Sequence, residues 1–248
     1  MVTHSSFNNT SQNNSNKGVC DVCNNEHCLV HNHSQTLLGD ETTQNTIIKC
    51  KKGQQFIIEG APVNGLFFIK QGTVKVFRTG INGREQIVRF AKDCEIIGHR
   101  GFGTQEYYSI GAIALQDSEL YYFSKEYLQK ILFENPAFSY DMMLFYANEL
   151  NRSESKVKSI SQMTVRERVI DTLLYIHRKF GNLRGFLNLP LSRKEYADYA
   201  GTTEEQVIRM FSALKKEGLI TAKGKKIAIN NIDALKNEIS EHSFYLDT

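Results

Sequence analysis

Glycine placement divides this chain before any other signal is read. Ten of its 17 glycines fall between Gly53 and Gly111, and the next is Gly181. Glycine suits turns and weakens helices, so the first stretch is broken by turns and the second favours long helices. Between those glycines lie short β-branched or aromatic runs at Ile47-Ile48, Gln55–Ile58, Leu66–Lys70, Thr73–Arg78 and Glu85–Phe90, followed by Glu95–Ile97, Ser109–Leu115 and Leu120–Phe123. Short strands at close spacing predict an antiparallel sandwich or barrel. Gly80-Ile81-Asn82-Gly83 reads as a hairpin connection, its Asn-Gly pair supplying positive φ.

Helical signals take over at Ser124. From Pro136, apolar residues at Phe138, Met142, Phe145, Tyr146, Leu150, Val157 and Ile160 recur at spacings of 3, 4 or 7, one face of a helix. A helix over 136–160 would be ~40 Å long, more than a small domain needs. We therefore expect Met142, Phe145, Tyr146, Leu150, Val157 and Ile160 to meet a second copy of the chain. The competing reading lays this helix across its own barrel. A shorter helix is expected from Val165 to about Phe180.

Residues 191–220 read LSRKEYADYAGTTEEQVIRMFSALKKEGLI. Ser192 and Glu195 form a capping box, and Gly201 suits a left-handed helix end. Thr202 or Thr203 caps a second helix with Val207, Met210, Phe211 and Leu214 as its buried stripe. Glu204, Glu205, Arg209 and Ser212 occupy the opposite face. This is a helix-turn-helix pattern, followed by two short strands around a basic turn at Lys223–Lys226, a wing. Residues 164–248 hold fourteen Lys and Arg against eleven Asp and Glu, so the whole net charge of +3 lies in this third. Lys215, Lys223, Lys225 and Lys226 are placed to meet phosphates. With Ser192, Thr202 and Thr203 at the helix starts, they complete the predicted set for double-stranded DNA. The competing readings are ordinary helix packing and a solvated lysine face.

At 41% hydrophobic and 23% charged, the composition is that of a globular protein. The sequence has no run of about 18 apolar residues and no secretory pattern at its start, so neither membrane span nor export is expected. Five cysteines, three within nine residues, argue for a reducing, cytoplasmic setting. His99 is the lone histidine of the segment 46–135, which gives a metal-dependent barrel enzyme no ligand triad and leaves a non-enzyme.

KKGQQFIIEGAPVNGLFFIKQGTVKVF in the glycine-rich part and the 191–220 stretch together resemble the CRP/FNR family of bacterial transcription regulators, over about 47–234. The resemblance implies an α+β chain with an N-terminal antiparallel β-barrel (jelly roll, cyclic-nucleotide-binding-like), a long dimerisation helix and a C-terminal winged helix-turn-helix. It implies a homodimer that engages RNA polymerase, with Glu205 and Arg209 in the family's base-reading positions. Arg bonds guanine bidentately and Glu accepts from cytosine. Ile208 replaces the family's usual Ser or Gly, and Glu204 stands where cAMP-dependent members have Arg. The expected division is a disordered tail 1–19, a Cys/His-rich segment 20–45, a sensing barrel 46–135, a dimer helix 136–162, a DNA-binding unit 163–234 and a C-terminal tail 235–248.

The family's cAMP pocket pairs Gly-Glu on ribose and Arg-Ser on phosphate. Here Gly98, His99, Tyr108 and Ser109 occupy those places, and an unpaired buried anion is costly, so cAMP is not expected as the effector. Cys20, Cys23 and Cys28 precede the barrel as in the oxygen-sensing FNR branch, whose resemblance implies a [4Fe-4S] cluster. The strand 117–123, where that branch has its fourth cysteine, has none. Cys20, Cys23, Cys28 and His33 also make a three-Cys-one-His set that zinc accepts. Unmetallated thiols are the third reading. The alternative to a DNA-reading regulator is a ligand-binding barrel that acts through protein contacts and carries a structural zinc.

Overall fold

The computed structural model describes residues 28–38, 46–102 and 106–245. The expected tail 1–19, together with Cys20 and Cys23, lies outside them. Eight strands form two four-stranded antiparallel sheets. They are β1 (Thr46–Cys50), β2 (Gln55–Ile57), β3 (Gly65–Gln71), β4 (Thr73–Thr79), β5 (Glu85–Lys92), β6 (Ile96–Ile97), β7 (Gly111–Ala114) and β8 (Ser118–Ser124). The strand orders are β1-β8-β3-β6 and β2-β7-β4-β5. The expected barrel is thus an open jelly-roll sandwich of two sheets. Phe67, Ile69, Val74, Val76, Ile97 and Leu120 meet in its interior. The β4–β5 connection turns on Asn82 (φ 60°) and Gly83 (φ 71°), the left-handed pair that the Asn-Gly dipeptide allows.

The outer face of the first sheet is covered too. Two short helices, α1 (Leu29–Asn32) and α2 (Ser34–Leu38), bring Leu29, Val30 and Leu37 against Leu66, Phe68 and Phe123. α3 (Lys125–Glu134) is capped by Ser124. The 27-residue α4 (Pro136–Gln162) is capped by Asn135, with Pro136 pre-set in its first turn. Its first half buries Phe138 and Met142 in that same cluster. Met142, expected to face a second copy, is therefore a core residue of its own chain. Farther along, Leu150 (60% exposed) and Val157 (69%) stand in solvent. The reading that lays the helix across its own sandwich holds for its first half.

The C-terminal unit comprises α5 (Val165–Phe180), a small ribbon β9 (Asn182–Leu183) and β10 (Phe186–Leu187), α6 (Arg193–Ala200), α7 (Glu204–Lys216), β11 (Ile220–Lys223), β12 (Lys226–Ile229) and α8 (Ile232–Glu238). Val169, Leu173, Tyr196, Val207, Phe211, Leu214 and Ile227 form its core. Leu235 and Ile239, past the expected boundary at 234, are buried in it. Phe77, Ile87 and Phe90 of the sandwich belong to the same cluster. Phe90 packs on Tyr199 with ring centroids 5.4 Å apart, and Tyr199 stacks on Tyr175 at 4.9 Å.

Phe90 is fully buried at this junction. Phe90→Ala should cost about 3–5 kcal/mol, the usual range for removing a buried ring. Urea unfolding followed by circular dichroism should show a lower midpoint and a split transition as the two units uncouple. A single transition at the wild-type midpoint would contradict the shared core.

Candidate functional site

Local chemistry places the helix-turn-helix. The Ser192 side chain accepts from the Glu195 backbone N–H, and Glu195 accepts in return from the Ser192 backbone N–H, a complete capping box at the start of α6. Gly201 ends α6 in the left-handed region (φ 65°, ψ 45°). Thr203, of the two threonines, caps α7 by accepting from the Gln206 backbone N–H. Val207, Phe211 and Leu214 then turn inward. Glu204, Glu205, Arg209 and Ser212 are exposed, while Thr202 is buried and serves the turn. Glu205 and Arg209, one helical turn apart, share the outward face. The Arg209 guanidinium is held by Gln206 Oε1 at 3.0 Å. Glu205 is held below the ordinary carboxylate range, first by a backbone N–H at this helix start and then by Thr203.

Lys215, Lys223, Lys225 and Lys226 are all exposed. β11 pairs with β12 from Ile220↔Ile229 to Lys223↔Lys226, so the predicted wing is present, with Gly224 (φ 59°) at its tip. Arg193 escaped the sequence reading. It donates to the Gly224 carbonyl at 3.1 Å and lies 4.5 Å over the Phe211 ring, tying the wing tip to α6 and α7. Its partners are 18 and 31 residues away, so no local pattern marks it.

Gly98, His99, Tyr108 and Ser109 differ in burial and in partners. The Tyr108 hydroxyl donates to the Gly65 carbonyl at 2.8 Å, and the ring lies beside Gly98. His99 is buried, its ring edge-on to Phe145 of α4 and 3.3 Å from Glu149. Ser109 is half-buried. Glu149, which the sequence did not single out, is the hub: Arg89 pairs with it at 2.9 Å and Arg152 at 3.0 Å. Burial pushes the Glu149 pKa up, but the His99 contact and the Arg89 and Arg152 charges outweigh it and hold the carboxyl far below its usual range. Burial lowers the pKa of His99, which favours its neutral form.

Of the Cys/His set, the described members are Cys28 and His33. Cys28 is fully buried and its sulfur accepts the His31 backbone N–H at 3.4 Å. His33 Nε2 bonds Asp141 of α4 at 2.7 Å. Among the described residues, no three His, Cys, Asp or Glu side chains converge as a metal site. Of the helix set, Tyr146 donates to the His99 carbonyl, Phe145 is half-buried, and Leu150, Val157 and Ile160 are exposed.

A jelly-roll sandwich joined through a long helix to a winged helix-turn-helix defines a DNA-binding transcription regulator. Known proteins agree. Residues 47–135 match the cyclic nucleotide-binding domain model, and residues 167–238 match the Crp-like helix-turn-helix domain model. The chain is 30% identical over 183 residues to the transcriptional activator protein Anr of Pseudomonas aeruginosa, spanning 72% of this chain and 74% of that one. It is 30% identical over 220 residues to the electron transport regulator A of Shewanella oneidensis, spanning 82% and 87%. The solved structure of FixK2 from Bradyrhizobium japonicum superposes with TM-score 0.69 at 25% identity, covering 78% of this chain and 96% of that one. The chain belongs to the CRP/FNR family of transcription regulators. No described helix is long and apolar enough to cross a membrane.

Removing the Glu149 charge strands a buried guanidinium. Glu149→Gln should cost about 3–5 kcal/mol at pH 7 by urea unfolding. A carboxylate with a depressed folded pKa stabilises above its ordinary value of 4.5 and loses that contribution as pH falls toward the folded value. The deficit should therefore shrink below pH 4.5. A variant as stable as wild type at pH 7 would contradict this.

Proposed function

We propose that this regulator binds specific DNA sites as a homodimer, with α7 of each copy in a major groove, and that a signal other than cAMP sets its activity. One observation carries the reading: Glu205 and Arg209 stand exposed on one face of a capped helix whose opposite face is locked in the core. Arg209 reads guanine through its fork of donors, Glu205 accepts from cytosine, and the wing lysines neutralise phosphates. The exposed stripe of Leu150, Val157 and Ile160 is the dimer seam, which holds the two recognition helices about 34 Å apart for successive major grooves. DNA as target and RNA polymerase as partner set its place in the cytoplasm.

Against cAMP stands the chemistry at Gly98 and Tyr108. The positions that carry the ribose carboxylate and the phosphate guanidinium in cAMP-dependent members are His99 and Tyr108. Tyr108 is already bonded to Gly65. Glu149 adds a carboxylate beside His99.

The signal enters through Cys20, Cys23, Cys28 and His33. A carboxylate behind an imidazole orients histidines that ligate metals, and Asp141 stands behind His33 in that way, leaving Nδ1 for a metal. The Cys28 sulfur accepts a backbone N–H at the start of α1 and lies beside the α4 segment that holds Asp141. These residues suit a thiolate-rich metal site. Anaerobic purification with metal analysis distinguishes its occupants. Bound zinc or a brown, air-sensitive iron–sulfur chromophore, either lost on Cys28→Ser, supports the site; metal-free colourless protein contradicts it.

Arg209→Ala should lose about 1–3 kcal/mol on the selected target duplex and relax base preference at one position, read by mobility shift at fixed salt. Unchanged discrimination between that duplex and random DNA would contradict the assignment.

A further inference from the structure

Among the exposed residues of α7, Ile208 alone is apolar. Val207, Phe211 and Leu214 are buried in the core, and Met210 packs against it. Ile208 stands 48% exposed. A lone exposed apolar residue is ordinary on a protein surface and by itself means little. Its neighbours set Ile208 apart. Glu205 lies three positions before it, Arg209 one after and Ser212 four after, so it flanks the face proposed to read DNA. The Ser212 hydroxyl is already satisfied, donating to the Ile208 carbonyl at 2.9 Å. Glu205 and Arg209 offer charge and hydrogen bonds, whereas Ile208 offers only van der Waals surface.

Isoleucine is a poor choice for an exposed helix position unless its surface is used. It has lower helix propensity than the lysine, glutamate or glutamine that suit such sites, and it leaves apolar area in water. Its branch at Cβ confines χ1 to essentially one rotamer in a helix. The side chain therefore projects in a fixed direction and loses little freedom when it is covered. The edges that base pairs show in the major groove are hydrogen-bonding groups with one exception, the C5-methyl of thymine. A guanine, adenine or cytosine edge placed under Ile208 would have a donor or acceptor covered without a partner, which costs free energy. A thymine methyl in the same place removes apolar surface of both partners from water.

We propose that Ile208 is a specificity-determining residue that packs on the C5-methyl of a thymine in each half-site, beside the base pairs contacted by Glu205 and Arg209. The inference rests on the reading of α7 as the DNA-reading helix and adds an apolar contact to it. Hydrogen bonds from Arg209 and Glu205 then select a guanine and a cytosine, and the fixed methyl groups of Ile208 select a thymine close to them.

Deoxyuridine tests the contact, because it keeps the pairing and the O4 acceptor of thymine and lacks only the methyl group. Each thymine of a duplex selected by the wild-type protein is replaced in turn, and binding of the full-length protein is measured by mobility shift at fixed salt. The expected result is a loss of about fourfold when one particular thymine of a half-site is replaced, and of about fifteenfold when its symmetry mate is replaced as well. In Ile208→Ser the same replacements should leave binding unchanged. In Ile208→Val, which keeps the branch at Cβ, the sensitivity should return. Ile208 is exposed, so both variants should melt with the wild type, which circular dichroism checks. Deoxyuridine that leaves wild-type binding unchanged at every thymine overturns the proposal. So does deoxyuridine that weakens Ile208→Ser as much as the wild type, which would assign the effect to DNA shape or to another side chain. Selected half-sites without thymine overturn it as well. In all three cases duplex selection still stands and α7 keeps its assignment, whereas loss of all discrimination between selected and random DNA removes both.

Discussion

The carboxyl end of α6 depends on side chains that come from elsewhere in the chain. A helix leaves its last carbonyls without intrahelical partners, and here three distant residues supply donors to them and to the turn that follows. Gln86 of β5 donates to the Asp198 carbonyl at 2.6 Å, Arg84 to the Thr202 carbonyl at 2.5 Å and Arg168 of α5 to the Ala200 carbonyl at 2.9 Å. Two of these are cations at the negative end of a helix dipole. The turn they fix is the one that launches α7. The jelly-roll sandwich therefore grips the DNA-binding helix-turn-helix at its root, and the Phe90–Tyr199–Tyr175 stack backs this grip with an apolar contact.

Two other contacts converge on the same scaffold. The Cys28–His33 segment packs against Phe138 and Met142 and reaches Asp141, so any ordering of that segment acts on the first half of α4. The Glu149 hub joins the second half of α4 to β5 through Arg89 and to the loop after β6 through His99. α4 thus receives the amino-terminal segment near its start and the sandwich near its middle, and passes both to α5 through the Met163–Thr164 junction. Small rotations at a seam between two such helices would change the separation of two recognition helices. In the proposed homodimer, such a rotation would couple the amino-terminal part to the recognition helices.

How much of this was legible in the sequence follows from the range of each interaction. The helix-turn-helix was plain because Ser192–Glu195, Gly201 and Thr203–Gln206 are local, within three or four residues of their partners. The hairpin at Asn82-Gly83 was plain for the same reason. β3 hid its pattern: Gly65 to Ile69 are all buried, because helices cover the face that a simple sandwich would leave to water. The sequence therefore showed a run, not an alternation. Met142 was misplaced because the apolar stripe on α4 is continuous in sequence, while its first half is spent on the chain's own sandwich. Arg84, Gln86 and Arg168 escaped because the carbonyls they cap around α6 lie between 32 and 118 residues away, and Glu149 because Arg152 alone is near it in sequence while Arg89 and His99 reach it only through the fold.

The central claim is that two copies of α7, held by the sandwich and the α4 seam, read two half-sites on one face of DNA. Selection of bound duplexes from a random pool, followed by sequencing and footprinting, tests it most directly. The account predicts an inverted repeat whose half-site centres lie about 10–10.5 base pairs apart, or a multiple of that, each half containing a guanine protected by Arg209. Enrichment of no repeat, with binding that depends on salt and not on sequence, would contradict it.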